Sequence, residues 1–202
     1  TRTLDSLKNV KGTFRVAVIT ATVDYDDDRL FSAVSRRVES LIRPYSKSYP
    51  IMQFEKKDVN ILKGLMEKAG HSDIMPQINL SCYPAIRNCQ LIIPNTLGHD
   101  IMIGLDDDET VLPDYLEKAT AHIGKKHNGE NILGIGGYYK DKKGDHIMWD
   151  LMKPKVNNIF FRKRWVKNQG LILIDKKKGD VLKANFVVGG NMVMHKRMFM
   201  QV

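Results

Sequence analysis

The stretch IMIGLDDDETVLPDY, from Ile101 to Tyr115, decides how this chain is organised. It opens with the apolar run Ile101–Leu105, and a short, bounded run of this kind predicts a buried strand. The acidic residues Asp106–Asp108 and Glu109 follow directly. Adjacent carboxylates repel one another, and their burial is costly unless a positive charge pairs with them. The stretch therefore predicts a buried strand whose end holds a cation.

Asp106 and Asp108 are the candidate metal ligands of this stretch. Residues two apart in an extended chain point the same way, so both carboxylates are expected on one side. Hard oxygen ligands suit Mg²⁺ or Mn²⁺, particularly when the ion also carries a phosphate-bearing ligand. Pro113 then begins the next helix. A solvated acidic turn that stabilises the N-terminus of that helix is the simpler alternative for the same residues.

Composition places the chain among ordinary globular proteins. It has 202 residues, of which 43% are hydrophobic and 27% charged, and we expect one domain over residues 1–202. The net charge of +9 is compatible with nucleic acid, an anionic membrane surface or a phosphorylated ligand. Because the lysines are dispersed or lie in loop-like runs, we expect no nucleic-acid partner. The two cysteines, Cys82 and Cys89, are too few for a disulfide framework.

No apolar run in the sequence approaches the length of a membrane-spanning helix, so we expect no transmembrane segment. We expect a cytoplasmic protein and leave peripheral attachment to a membrane open. The chain opens on Thr1 without a Met and stops at Val202, straight after an apolar pattern. We therefore expect a fragment that lacks the C-terminal part of a longer protein.

Strands and helices alternate through the first two thirds of the sequence. The predicted strands are Phe14–Ala21, Tyr49–Phe54, Ile101–Leu105 and Asn131–Tyr138. The predicted helices are Asp28–Arg43, Lys57–Ala69, Tyr83–Thr96 and Pro113–Gly124. This alternation predicts an α/β domain with a mainly parallel, Rossmann-like sheet and helices on both faces. Ligands of such sheets bind beyond the carboxyl ends of the strands, so we expect Thr20–Asp24 and Asp106–Asp108 to share one cleft.

The last third of the sequence has a different pattern. Gly170–Ile174 and Val181–Val188 flank a charged turn at Asp175–Asp180. Two apolar runs around such a turn predict a C-terminal β-hairpin.

Four segments, in this order along the chain, carry a resemblance to a known family. They are Val16–Thr22, Ala85–Asn88 with the pattern A-x-R-N, Gly98–Leu116 with the D-x-D motif, and Val188–Arg197, which resembles a G-x-N-x-x-x-R segment but has two more residues before Arg197. Together they resemble the nucleotide-sugar domain of family-two glycosyltransferases, which has the GT-A fold. The resemblance spans most of the chain and implies a single GT-A catalytic domain.

The activity implied by this resemblance is metal-dependent sugar transfer, of the hexosyltransferase type, from a nucleoside diphosphate sugar. We prefer a UDP-sugar donor, because uridine is the commoner base among similar proteins. The acceptor, a carbohydrate, lipid or small molecule, is not identified by the sequence. The resemblance implies that the donor nucleotide contacts Thr20, Ala21, Thr22, Glu55, Arg87, Asp106 and Asp107. Glu55 stands where the family's second strand usually ends in an acidic pattern.

The resemblance also implies the other parts of the site. Mn²⁺ or Mg²⁺ would be held by Asp106 and Asp108 and would act as a Lewis acid on both phosphates. Arg87 would form a charge-assisted hydrogen bond with the diphosphate or the base. Gly189, Gly190 and Asn191 would lie on the acceptor side. The family's catalytic base would follow Arg197, so we expect it beyond Val202 and assign no catalytic residue here.

Two alternatives stay open. Ile101–Val111 also resembles the opening motif of haloacid-dehalogenase-type phosphatases, in which Asp106 would be the phosphate-accepting nucleophile and Asp108 a general acid. That motif normally opens its fold, whereas here about a hundred residues with their own predicted strands precede it. The second alternative is a binding domain without enzymatic activity.

Overall fold

The computed structural model of this chain describes residues 1–23, 25, 27–147, 159–177, 181–184 and 190–199. The helices are α1 (Arg2–Leu7), α2 (Asp28–Ile42), α3 (Lys56–Lys68), α4 (Tyr83–Thr96), α5 (Tyr115–Thr120), α6 (Ile159–Asp175) and α7 (Lys196–Phe199). The strands are β1 (Val16–Ile19), β2 (Ile51–Phe54), β3 (Ile101–Leu105), β4 (Lys126–His127), β5 (Glu130–Asn131), β6 (Gly134–Gly136) and β7 (Asn191–His195). The expected mixed α/β class is confirmed.

The first half of the chain builds a small parallel sheet with helices against it. β1 pairs with β2 in parallel, from Val16 opposite Ile51 to Ile19 opposite Phe54. The Asp27 carboxylate caps α2 by accepting hydrogen bonds from the next two backbone N–H groups, at 2.8 Å and 3.2 Å. These elements confirm the two strands and the two following helices that the hydrophobic periodicity predicts.

The second sheet is antiparallel and contains the strand of the acidic motif. β7 lies between β3 and β6, in the order β3–β7–β6, and is antiparallel to both. Among the described strands only the pair of β1 with β2 is parallel. The mainly parallel sheet is therefore not found in the part of the chain that the structure describes. The sheet around β3 is antiparallel because β7 pairs with β3 in that direction. The sequence pattern did not predict β7 as a strand, and it lies far from β3 along the chain.

The predicted C-terminal hairpin is wrong in its first arm. Gly170–Ile174 belongs to α6, and the exposed fractions of its residues show why. Leu171 is 2% exposed, whereas Leu173 is 62% exposed. A strand would place these two residues on the same face, but a helix places them on different faces. The second arm, Val181–Val188, lies partly outside the described residues.

Two further elements differ from the sequence prediction. The strand expected over Asn131–Tyr138 is divided, because β5 pairs with β4 while β6 pairs with β7. The helix expected over Pro113–Gly124 is shorter, since α5 spans only Tyr115–Thr120.

Two apolar clusters hold these elements together. One is formed by Phe54, Val59, Ile78, Leu80, Cys89 and Ile93, and it joins α3 and α4 to the parallel sheet. The other centres on Leu7, Tyr45 and Tyr49 and includes Leu105 at the end of β3. Leu105 thus anchors the strand of the acidic motif to the start of the parallel sheet. No helix in the described part of the chain is long and apolar enough to cross a membrane.

Two glycine substitutions test the packing around β7. A Cβ on Gly137 would lie 2.7 Å from Cγ of Asn191, whose side chain is held because its Oδ1 accepts a 2.7 Å hydrogen bond from Tyr115. We expect Gly137→Ala to lower the free energy of unfolding by about 1–3 kcal/mol, because neither group can move freely. Gly64 in α3 has open space around it, so Gly64→Ala should raise that free energy by about 0.5–1 kcal/mol. Urea unfolding measures both, and equal effects of the two changes would contradict the packing at Asn191.

Candidate functional site

The register between β3 and β7 places a glycine against the acidic motif. Leu105 pairs with Asn191, so Gly190 lies opposite Asp106. A Cβ on Gly190 would lie 2.5 Å from Cγ of Asp106 and would also overlap the hydroxyl of Tyr139. Only glycine therefore lets the Asp106 carboxylate, the Tyr139 phenol and the backbone of residue 190 come this close.

Arg87 reaches the same point from α4. Its Nη2 atom lies 3.6 Å from Oδ1 of Asp106. Its Nη1 donates a 2.8 Å hydrogen bond to Gln90, and its Nη2 donates to the Tyr83 hydroxyl. The guanidinium also lies 4.9 Å from the centroid of the Tyr83 ring. Because Tyr83 and Gln90 stand four residues before and three residues after Arg87, the helix itself orients the guanidinium toward Asp106.

The acidic motif is a turn rather than a continuation of β3. The N–H of Glu109 donates to the carbonyl of Asp106 at 3.4 Å, and Thr3 of α1 donates to the carbonyl of Asp107 at 2.6 Å. The argument that placed Asp106 and Asp108 on one side assumed an extended chain, so that argument does not hold. Asp107 and Asp108 are exposed, whereas Asp106 is half-buried.

The carboxylates of Asp106 and Asp108 are the groups at this point of the fold that could hold a metal ion. Among the described residues, no group of three or more His, Cys, Asp or Glu side chains is arranged to hold a metal ion. Mg²⁺, however, is commonly bound through one or two carboxylates together with phosphate oxygens. Asp106 and Asp108 supply that kind of donor. The alternative of a solvated acidic turn is met in part, because Asp107 and Asp108 are exposed in a turn. These acids do not lie at the N-terminus of the next helix, since α5 begins only at Tyr115.

Glu109 is a member of the site that the sequence interpretation missed. Its carboxylate accepts hydrogen bonds from the Tyr139 hydroxyl and, at 3.4 Å, from the N–H of Asp106. Burial is the main cause that raises the pKa of Glu109 to about 7, and the charges of Asp106 and Asp108 act in the same direction. The sequence places Glu109 beside the three aspartates, but it gives no signal for the contact with Tyr139, which lies far along the chain and meets Glu109 only in the fold.

The residues expected at the end of β1 have different surroundings. Thr20 is 2% exposed, and its hydroxyl accepts a 2.9 Å hydrogen bond from Gln53. Ala21 packs against the apolar cluster around Cys89. Thr22 lines a cleft of about 270 Å³ that lies between the starts of α2 and α3. Of these three residues, Thr22 is therefore the one placed to meet a ligand.

Glu55 serves the structure of α3. It is the N-cap residue of that helix and forms a reciprocal capping box with Asp58. Its carboxylate also accepts hydrogen bonds from Lys57 and Ser35, which together hold the pKa of Glu55 below its ordinary value. These contacts occupy the carboxylate within the protein.

The structure thus places the expected binding residues in two neighbouring locations rather than in one cleft. Arg87 and Asp106 do not line the cleft beside Thr22. The start of α4 connects the cleft with the contact between Arg87 and Asp106. Ser81 lines the cleft, and α4, which carries Arg87, begins two residues later with Tyr83.

On the expected acceptor side, Gly190 contacts Asp106, and Asn191 binds Tyr115 with its side chain. Gly189, like Asp24 in the first loop, lies outside the described residues.

Comparisons with protein-family models, with curated proteins and with solved structures found no match to this chain.

The raised pKa of Glu109 predicts a pH-dependent stability. The folded state favours the protonated carboxyl of Glu109. The stabilisation that results is therefore fully present below the ordinary pKa of 4.5 and is lost as the pH rises through about 7. Glu109→Gln removes the charge, so we expect this variant to gain stability relative to the parent protein between about pH 5 and about pH 8. Thermal unfolding in a chelating buffer measures the difference. Glu67→Gln, at an exposed position in α3, should show no such gain, and a constant difference for Glu109→Gln would contradict the assignment.

Proposed function

We propose that this chain is the catalytic domain of a metal-dependent glycosyltransferase with the GT-A fold and that it binds a nucleoside diphosphate sugar. One observation carries the proposal. Arg87, Asp106 and Gly190 come from three separate segments of the resemblance and meet at the end of β3. A chance resemblance in three short patterns gives no reason for the three segments to converge in space.

The contacts at this point suit a diphosphate. Arg87 is oriented by Tyr83 and Gln90, and a guanidinium forms strong, charge-assisted hydrogen bonds with phosphate oxygens. Asp106 and Asp108 would hold Mn²⁺ or Mg²⁺. Asp107, which lies between them in the sequence and is exposed, would contact the nucleotide. When bound, the metal ion would offset the negative charge of the departing diphosphate. Gly190 has no side chain, which lets the Asp106 carboxylate and the Tyr139 hydroxyl approach the backbone on the expected acceptor side.

The cleft beside Thr22 is the proposed place for the nucleoside, and we keep uridine as the preferred base. The volume of this cleft, about 270 Å³, lies just below the range of about 300–1,000 Å³ that is usual for small-molecule sites. Tyr25 and Phe31 give it aromatic surface, while Thr22 gives it a hydroxyl. A nucleotide that extends from this cleft along the start of α4 would pass Tyr83 and bring its phosphates to Arg87.

The phosphatase alternative receives less support from the same contacts. A nucleophilic carboxylate must approach phosphorus, but Asp106 faces Gly190 on one side and Arg87 on the other. The residues before β3 also form an apolar cluster of their own, so the acidic motif does not open the fold. A phosphoenzyme trapped on Asp106 would favour the phosphatase over the transferase.

The proposal predicts metal-dependent binding of a nucleoside diphosphate. We expect UDP to bind in the presence of Mn²⁺, and Asp106→Asn and Asp108→Asn each to weaken this binding by at least about tenfold, because each removes a charged metal ligand. Isothermal titration calorimetry with and without Mn²⁺ measures the effect. Asp73→Asn, which changes an exposed carboxylate in another part of the chain, is the matched control and should bind as the parent protein does.

Three outcomes of this experiment differ in meaning. Metal-dependent UDP binding that both substitutions weaken supports the transferase. UDP binding that neither substitution affects would contradict the metal site at Asp106 and Asp108. The absence of any nucleotide binding would contradict the transferase and favour a binding domain for another partner.

A further inference from the structure

The cleft beside Thr22 contains a row of polar side chains from one face of α3. Lys56, Asn60 and Lys63 follow each other at the spacing that places side chains on the same side of a helix. Leu80 and Val59 supply apolar surface in the same cleft. A ligand that enters the cleft would therefore meet apolar surface together with polar side chains of α3.

Most of the polar groups around the cleft are already occupied within the protein. Lys56 forms an ion pair with Asp28, and Asp27 caps α2. Asn79 accepts hydrogen bonds from Ser81 and donates one to the carbonyl of Pro76. These groups shape the cleft, but they have limited capacity to select a ligand.

Lys63 differs from the other charged side chains that line the cleft, Asp27, Asp28 and Lys56, which have the partners given above. In the described ranges it makes no hydrogen bond and no ion pair, although it is half-buried. The positive charge of Lys63 also acts on Cys89 in α4. Burial raises the pKa of the Cys89 thiol to about 11, and the charge of Lys63 partly offsets this increase. Lys63 thus lines the cleft without an acceptor of its own among the described residues.

We propose that Lys63 selects a nucleotide whose base carries a keto oxygen, uracil or guanine, over one whose base carries an amino group at the same place. This inference rests on the proposed function and adds a specificity-determining residue to it. A lysine ammonium has donors and no acceptor. A keto oxygen accepts from it, whereas the amino group of cytosine or adenine would bring a donor against a donor. The exposed ring of Tyr25, 63% accessible at the mouth of the cleft, offers a face on which a planar base can stack.

The test compares bases of equal size. We expect the parent protein, with Mn²⁺ present, to bind UDP about ten- to a hundredfold more tightly than CDP, and GDP more tightly than ADP, because a hydrogen bond to a charged donor is at stake. Lys63→Met should weaken UDP binding by a similar factor, should not weaken CDP binding, and should thereby remove the preference. Lys68→Met, at an exposed position in the last turn of α3, is the control and should keep the preference.

The possible results separate this inference from the proposed function. Equal binding of UDP and CDP by the parent protein would overturn the role of Lys63 while the transferase stands, and this measurement needs no variant to fold. A preference that persists in a folded Lys63→Met protein, as judged by circular dichroism, would overturn it as well. Failure of every nucleotide to bind would contradict the proposed function itself and remove the basis of the inference.

Discussion

The antiparallel pairing of β3 with β7 is the constraint on which the candidate site depends. Its register sets Leu105 opposite Asn191 and thereby Gly190 opposite Asp106. A slip of one residue would turn every side chain of β7 to the other face and would move Val193, which is 2% exposed, out of the core. The burial of Val193 therefore fixes the register, and the register brings a glycine to the acidic motif.

The ion pair of Arg87 with Asp106 contributes little to the stability of the fold. Arg87 lies 3.6 Å from a carboxylate whose side chain is 46% exposed, and such a pair contributes only about 0–1 kcal/mol to stability. The four consecutive acids of the motif include Glu109, whose pKa is raised by burial and by its acidic neighbours. A site that retains excess negative charge at some cost to the fold is what binding of a cation would explain.

Local patterns predicted part of this structure, and long-range pairing decided the rest. The buried strand β3 and the helices α2, α3 and α4 follow from apolar periodicity and from capping residues such as Asp27, all of which are local in sequence. The strand β7 could not be found in this way, because its place beside β3 depends on contacts between residues about ninety positions apart. The α6 helix was missed for a different reason, since a short apolar run such as Leu171–Ile174 fits a strand and a helix equally well. In the site, Arg87, Asp106 and Gly190 were predicted individually, but the contact of Glu109 with Tyr139 and the position of Lys63 in the cleft required the fold.

The most direct measurement is a crystal structure of the protein with UDP and Mn²⁺. We expect the metal to be bound by the carboxylates of Asp106 and Asp108, the diphosphate to lie within hydrogen-bond distance of Arg87, and the uracil to occupy the cleft beside Thr22. Manganese bound at other residues, or a diphosphate that makes no contact with Arg87, would contradict the assignment of the end of β3 as a nucleotide-sugar site.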